Sequence, residues 1–201
     1  EEDLWRYISL DHLANLLRTE ELLFRRISCF SDPFEGSVPK AFVERRREIY
    51  EESDSHPDHL PNVLSAVNKK VRDSVYANCW HRSNIESEAM WEHYGNSGVA
   101  VVTDIDSIFE SLEKEDQTIL IKEVPYLNYY ASYDELSVEE QSTLKQVLEY
   151  ASSDLLAPAI MKRKSFKHEN EVRLLRPEVE LISEREYEDV QANIEVDDQE
   201  W

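Results

Sequence analysis

The residues whose types and spacing best suit chemistry are Glu169-Asn170-Glu171-Val172-Arg173. On a strand, a period of two places Glu169, Glu171 and Arg173 on one face and Asn170, Val172 and Leu174 on the other. Two carboxylates about 7 Å apart, with a guanidinium as the next neighbour, could orient ribose hydroxyls and steady a developing cation. The alternative is a solvated strand face with a Glu–Arg surface pair of little energetic weight. Just upstream, Arg163, Lys164 and Lys167 form a basic cluster that could accept a pyrophosphate or balance the C-terminal dipole of a long helix.

A second group is Met90-Trp91-Glu92-His93-Tyr94. Trp91 and Tyr94 share a helical face and, if exposed, could stack on a flat ring such as nicotinamide or adenine. Packed inward, the same pair is core. A third is the loop Asp32-Pro33-Phe34-Glu35-Gly36, in which Asp32 can bond to its own downstream backbone and Phe34 can anchor the turn. Glu35 would then project into a cleft. Metal chemistry fits poorly: His56-Pro57-Asp58-His59 has no third ligand nearby, and Cys79 and His81 have only weak company, so no metal is expected.

These residues need a frame, and 201 residues supply about one domain's worth. The expected organisation is a single domain over 1–183 with an acidic tail over 184–201. The charge balance is extreme, with 22 Lys+Arg against 43 Asp+Glu and a net −21. Such a surface repels phosphate backbones, which makes nucleic acid an unfavourable partner. It is also what adaptation to high salt would produce. Three Gly exclude a Walker A loop and a GxGxxG turn, so any nucleotide must be held by side chains and ordinary backbone. Two Cys fifty positions apart fit a reducing compartment. No apolar run approaches the roughly 18 residues of a membrane span, and the acidic start shows no signal-peptide pattern, which points to the cytoplasm.

Periodicity predicts a strand at Leu4–Ile8 with Trp5 and Tyr7 on one side, then a helix capped by Ser9 with Leu10, Leu13, Leu16 and Leu17 as its stripe. Further strands are expected at Leu22–Ile27, Val75–Trp80, Gly98–Thr103 (apolar enough to be buried), Thr118–Val124 and His168–Leu175, with Val179–Ile182 a weaker candidate. Helices are expected over Val38–Glu51, Asn62–Arg72, Glu88–Tyr94 with a left-handed cap at Gly95, and Ile105–Glu113 capped by Asp104. Ser137-Val138-Glu139-Glu140 opens a long helix reaching Lys164 with an interruption at Pro158. The irregular interleaving predicts an α+β fold: a central mixed or antiparallel sheet with helices around it.

In chain order these motifs resemble a known family. The series is Trp5-Arg6-Tyr7, Phe30-Ser31-Asp32-Pro33-Phe34-Glu35, Asn78-Cys79-Trp80, Met90-Trp91-Glu92-His93-Tyr94 and Phe166-Lys167-His168-Glu169-Asn170-Glu171-Val172-Arg173. It resembles the prokaryotic domain-of-unknown-function family two-nine-seven-one over about Leu4 to Leu175. A looser similarity is to ADP-ribosyltransferase folds, and it implies an NAD site. By that resemblance Arg6 on the first strand would hold the dinucleotide; Trp91, Tyr94 and Arg173 are the further candidates to contact it, from their residue types. Glu171 would bond the ribose 2′-hydroxyl, Glu169 would assist as the helper acid, and the middle position stays open among Trp80, His81 and Ser83; Glu35 is a further catalytic candidate from its own loop.

Three functions follow as expectations. The first is an NAD-consuming ADP-ribosyltransferase-like enzyme or glycohydrolase of a defence or toxin-type system, which requires Arg6, Tyr94 and Glu171 to converge. The second is a non-catalytic protein-binding or sensor domain, which requires Glu169, Glu171 and Arg173 to be engaged internally. The third is a metal-dependent nuclease, which requires Glu35, Glu169 and Glu171 to meet around a divalent ion.

Overall fold

The computed structural model describes residues 2–51, 68–95, 97–112, 118–151 and 156–178. The architecture is α+β, with a six-stranded sheet ordered β4-β1-β3-β8-β5, β2 pairing with β3, and a separate parallel pair β6–β7. The strands are β1 (Leu4–Ile8), β2 (Arg25–Arg26), β3 (Val75–Arg82), β4 (Val99–Thr103), β5 (Leu120–Glu123), β6 (Tyr126–Leu127), β7 (Lys162–Arg163) and β8 (Glu171–Pro177). Strand β1 runs antiparallel to both β3 and β4, and β5 antiparallel to β8. The helices are α1 (Leu10–Thr19), α2 (Lys40–Glu51), α3 (residues 68–74), α4 (Glu88–Met90), α5 (Ile105–Leu112), α6 (Val138–Ala151) and α7 (Ala157–Ile160). No helix among the described residues is long and apolar enough to cross a membrane.

The chain forms two compact units. The first takes in Glu1–Arg25, Tyr76–Val124 and Ser165–Pro177, and the second is built from Arg26–Val75 and Pro125–Lys164. The first packs one sheet face around Leu4, Trp80, Ile108, Val172 and Leu174, with Val101, Ile105 and Ile121 at the margin. Helix α5 closes that face. Asp104 starts it by accepting from the Ser107 backbone N–H at 2.7 Å and from its hydroxyl at 2.8 Å, and these bonds hold the Asp104 carboxyl below its ordinary range.

The second unit packs α2, α6 and α7 around Phe42, Leu127, Tyr129, Leu144 and Met161. Its Asp32 turn forms as the residue types dictate, with the Phe34 N–H donating to Asp32 Oδ1 at 3.2 Å. Gly36 closes the turn at φ 78°, a conformation that costs a side-chain-bearing residue energy.

Several expected elements differ. The strand expected at Leu22–Ile27 shrinks to Arg25–Arg26, followed by a 3-10 turn at Ile27–Cys29. The long helix does not reach Lys164: it is described over Val138–Ala151, Pro158 sits in the first turn of the helix Ala157–Ile160, where its missing N–H costs nothing, and Lys162–Arg163 is strand. The strand expected from His168 begins only at Glu171, because Lys164–Glu169 winds into a 3-10 helix and Asn170 turns the chain at φ 36°. The helix Glu88–Tyr94 is α only to Met90 and π-helical over Trp91–Gly95. Its left-handed residue is Ser97 at φ 63°, not Gly95. Gly95 has a different task, since a Cβ there would collide with the Trp91 ring. Strand β4 lies at a sheet edge and is not buried; Val102 is 46% exposed. The strand expected at Val179–Ile182, the His56–His59 pair, most of the Asn62–Arg72 helix and the acidic tail fall outside the described residues.

Candidate functional site

The site is built on the sheet face opposite the α5-covered core. Trp80, Val172 and Leu174 point into that core, so the alternating residues His81, Glu171 and Arg173 point the other way, and the register pairing Trp5 with His81 puts Trp5 and Tyr7 there too. Tyr7 anchors the segment that follows β3. Its hydroxyl accepts the Ser87 backbone N–H at 2.9 Å, and its ring meets Trp91 edge-on with centroids 4.9 Å apart. Ser87 also caps α4 by accepting from the Met90 N–H at 3.4 Å, and the Trp91 indole donates to Glu86 at 3.1 Å. These contacts fix the start of the π-helix and set where Tyr94, three residues on, can reach.

Tyr94 donates its hydroxyl to Glu169 Oε1 at 2.7 Å while its ring stays 48% exposed. Glu169 itself is buried. Its backbone carbonyl lies 2.6 Å from His81 Nδ1, and because a carbonyl can only accept, that nitrogen carries the proton. The rings of His93 and His168, both exposed, stand perpendicular 5.9 Å apart beside Tyr94.

Glu171 and Arg173 form a two-pronged pair, with Nε to Oε1 at 2.7 Å and Nη2 to Oε2 at 3.2 Å. Arg173 is wholly buried and Glu171 nearly so. Across the ladder Lys122 is the register partner of Arg173.

Arg6 is not part of this face. Its register partner is Val101, its guanidinium lies over Trp80 at 5.8 Å, and Nη2 donates to the Leu23 carbonyl at 3.2 Å. It therefore lies on the core side of the sheet. Burial pushes its pKa below the usual value, with an opposing contribution from Cys79. Asn78 donates to the same Leu23 carbonyl at 2.9 Å.

Glu35 belongs to the second unit, where it is buried against Lys162 at 3.3 Å. Beside it Arg163 clasps Asp32 through two bonds, at 3.1 and 2.7 Å, and lies 4.5 Å over the Phe34 ring. Lys164 pairs with Glu140 at 3.2 Å. Two cations of the presumed phosphate cluster are thus engaged with acids of their own unit. Burial alone would lower the Arg163 pKa, but Asp32 and Tyr130 outweigh it and hold the value above the ordinary one.

Glu169, Glu171, Arg173, Trp91 and Tyr94 all fall within the first unit. Residues 90–174 match the family model described as protein of unknown function, DUF2971. Over that segment the chain is similar to that family. The matched stretch holds both the Met90–Tyr94 motif and Glu169–Arg173, whereas Arg6, Asp32 and Glu35 precede it. No curated protein and no solved structure matches the chain.

Sequence reasoning placed Tyr7 on the first strand but gave it no role in the site, where it links that strand to the Met90–Tyr94 motif. Its signal was available: it alternates with Trp5 on one side of β1. Among the described residues, no group of three or more His, Cys, Asp or Glu is placed to hold a metal ion.

Proposed function

We propose that this chain is a non-catalytic protein-binding domain in which the Glu171–Arg173 strand is a charged internal support. The observation that carries this reading is the two-pronged, buried Glu171–Arg173 pair, with Arg6 turned to the other face of the same sheet. Ribosyl transfer needs an acid whose oxygens turn to the sugar and a cation on the same side to hold the dinucleotide. Here the acid is clasped by its strand neighbour, and the first-strand cation serves the Leu23 carbonyl.

A second reading rests on Tyr94. Its half-exposed ring beside the Glu169 carboxylate suits a nicotinamide or adenine ring with a ribose hydroxyl at the acid. In that reading the chain is an NAD-consuming enzyme of a defence or toxin-type system.

One experiment separates the two. Purified protein is incubated with NAD and the products are followed by mass spectrometry, beside Tyr94→Ala and Glu171→Ala variants. The binding reading expects intact NAD in every sample, and a lowered melting temperature for Glu171→Ala alone or most strongly. Nicotinamide release that disappears in both variants overturns it in favour of the enzyme.

A further inference from the structure

The two edges of the six-stranded sheet differ in a way that bears on partners. Edge strand β5 carries Lys122 and Glu123, charges of the kind that blunt an edge against pairing. Edge strand β4 reads Val-Ala-Val-Val-Thr, without a charge or a proline. It is paired with β1 along five register positions, Leu4–Thr103 to Ile8–Val99, with no bulge. No described strand lies along its other side, and none of its five residues is buried. Alternate N–H and C=O groups of β4 therefore face away from the sheet, as a template for one more strand.

The charge of the adjoining sequence selects the occupant. From Ser83 to Leu112 the sequence contains Glu86, Glu88, Glu92, Asp104, Asp106 and Glu110 and no Lys or Arg. All but Asp104 of these acids are exposed. A second copy of this chain would bring the same acids, and a net −21, against them. An extended segment rich in Lys or Arg would instead be attracted, while its backbone completed the ladder and its apolar residues met Val102.

We propose that β4 is a docking edge for a basic, extended segment of a partner protein, added to the sheet as a further strand. This rests on the protein-binding reading above and names the partner's chemistry.

The probe is a short synthetic peptide alternating Lys and Val, with an alternating Glu and Val peptide as control. Binding is read by fluorescence anisotropy, and its place by hydrogen exchange of the full chain. The expected result is binding of the basic peptide that weakens with salt and slows exchange of the Val99–Thr103 amides. Val102→Pro removes one backbone donor and kinks the edge, with an expected loss on the order of tenfold or more. Because that variant could also loosen the fold, Asp106→Lys with Glu110→Lys supplies an independent arm, expected to weaken binding while circular dichroism stays unchanged. Three outcomes overturn the inference: no binding of the basic peptide, equal binding of the acidic one, or protection that avoids β4. Concentration-dependent dimers abolished by Val102→Lys also overturn it, by making the occupant a second copy. Protection at Trp91–Gly95 instead of β4 defeats this edge alone and leaves the binding reading standing, whereas nicotinamide release defeats that reading whatever the peptide does.

Discussion

At the scale of single residues, the fate of Arg173 decides how the Glu169–Arg173 motif is understood. A guanidinium wholly out of water is tolerated only if its charge is answered, and Glu171 answers it through two parallel bonds. Removing one member takes both of these bonds from the other. Arg173→Met is expected to cost about 3–5 kcal/mol in urea unfolding, because Glu171 is left buried without its partner. The double variant Glu171→Leu with Arg173→Met should recover most of that loss, since neither charge then remains to be desolvated. A double variant as unstable as the single one would show that these residues are needed for something other than each other. Tyr94 and Glu169 are a different kind of pair, with one partner buried and the other half in water. Tyr94→Phe leaves the ring surface in place while removing the bond to the acid.

At the scale of elements, the clearest piece of local coding is the start of α6. Ser137 and Glu140 form a reciprocal box: the Glu140 N–H donates to the Ser137 hydroxyl at 3.3 Å, and the Ser137 N–H donates to Glu140 Oε2 at 3.1 Å. The other Glu140 oxygen takes the Asn128 N–H and the Lys164 ammonium. Burial alone would raise this carboxyl, but the Ser137 bonds and Lys164 outweigh it, so its pKa lies below the ordinary 4.5. A depressed folded value means that the ionised form stabilises the fold above the unfolded pKa, and that this contribution is lost as pH falls through the folded one. The stability gap between wild type and Glu140→Gln should therefore be full at neutral pH and shrink as pH falls below the ordinary 4.5 and through the folded value in denaturant titrations. A gap that widens on acidification contradicts the sign. The same kind of short-range signal made the Ser9 cap, the Asp104 cap, the Asp32 turn and strand β1 legible in the sequence. What stayed illegible depended on distant partners. Asn tolerates positive φ, but nothing near Glu169 requires Asn170 to take it and leave Glu169 off the strand. The Leu stripe of α1 shows period but not burial, and Leu10 and Leu17 remain 58% and 71% exposed. The Met90–Tyr94 motif has helical spacing, yet it becomes a π-helix beside Tyr7, which lies more than eighty positions earlier in the chain. Arg6 looked eligible for the site until strand parity set it on the other face.

At the scale of the whole molecule, the governing quantity is a net charge of −21 carried by 43 acids against 22 bases. The bases that are well placed go to internal partners: Arg163 to Asp32, Lys162 to Glu35 and Arg173 to Glu171. That leaves the acids of Ser83–Leu112 without a Lys or Arg in their own stretch of sequence. Like charges on a compact body repel more than they do on an extended chain, so part of the folding free energy is offset by self-repulsion. Salt removes that offset, because the screening length falls from about 30 Å at 0.01 M to about 3 Å at 1 M. The buried pairs are sheltered from this screening and persist. The melting temperature should therefore rise by several degrees between about 10 mM and 0.5 M NaCl, with each kcal/mol gained worth about 2–4 °C at this chain length. If the acidity is an adaptation to brine, the rise continues into molar salt; if it serves basic partners, the curve levels once surface repulsion is screened, and the basic peptide's affinity falls over the same range. A melting temperature that declines from the lowest salt upward would mean that surface ion pairs outweigh self-repulsion, and it would remove the electrostatic argument for a cationic partner along with it.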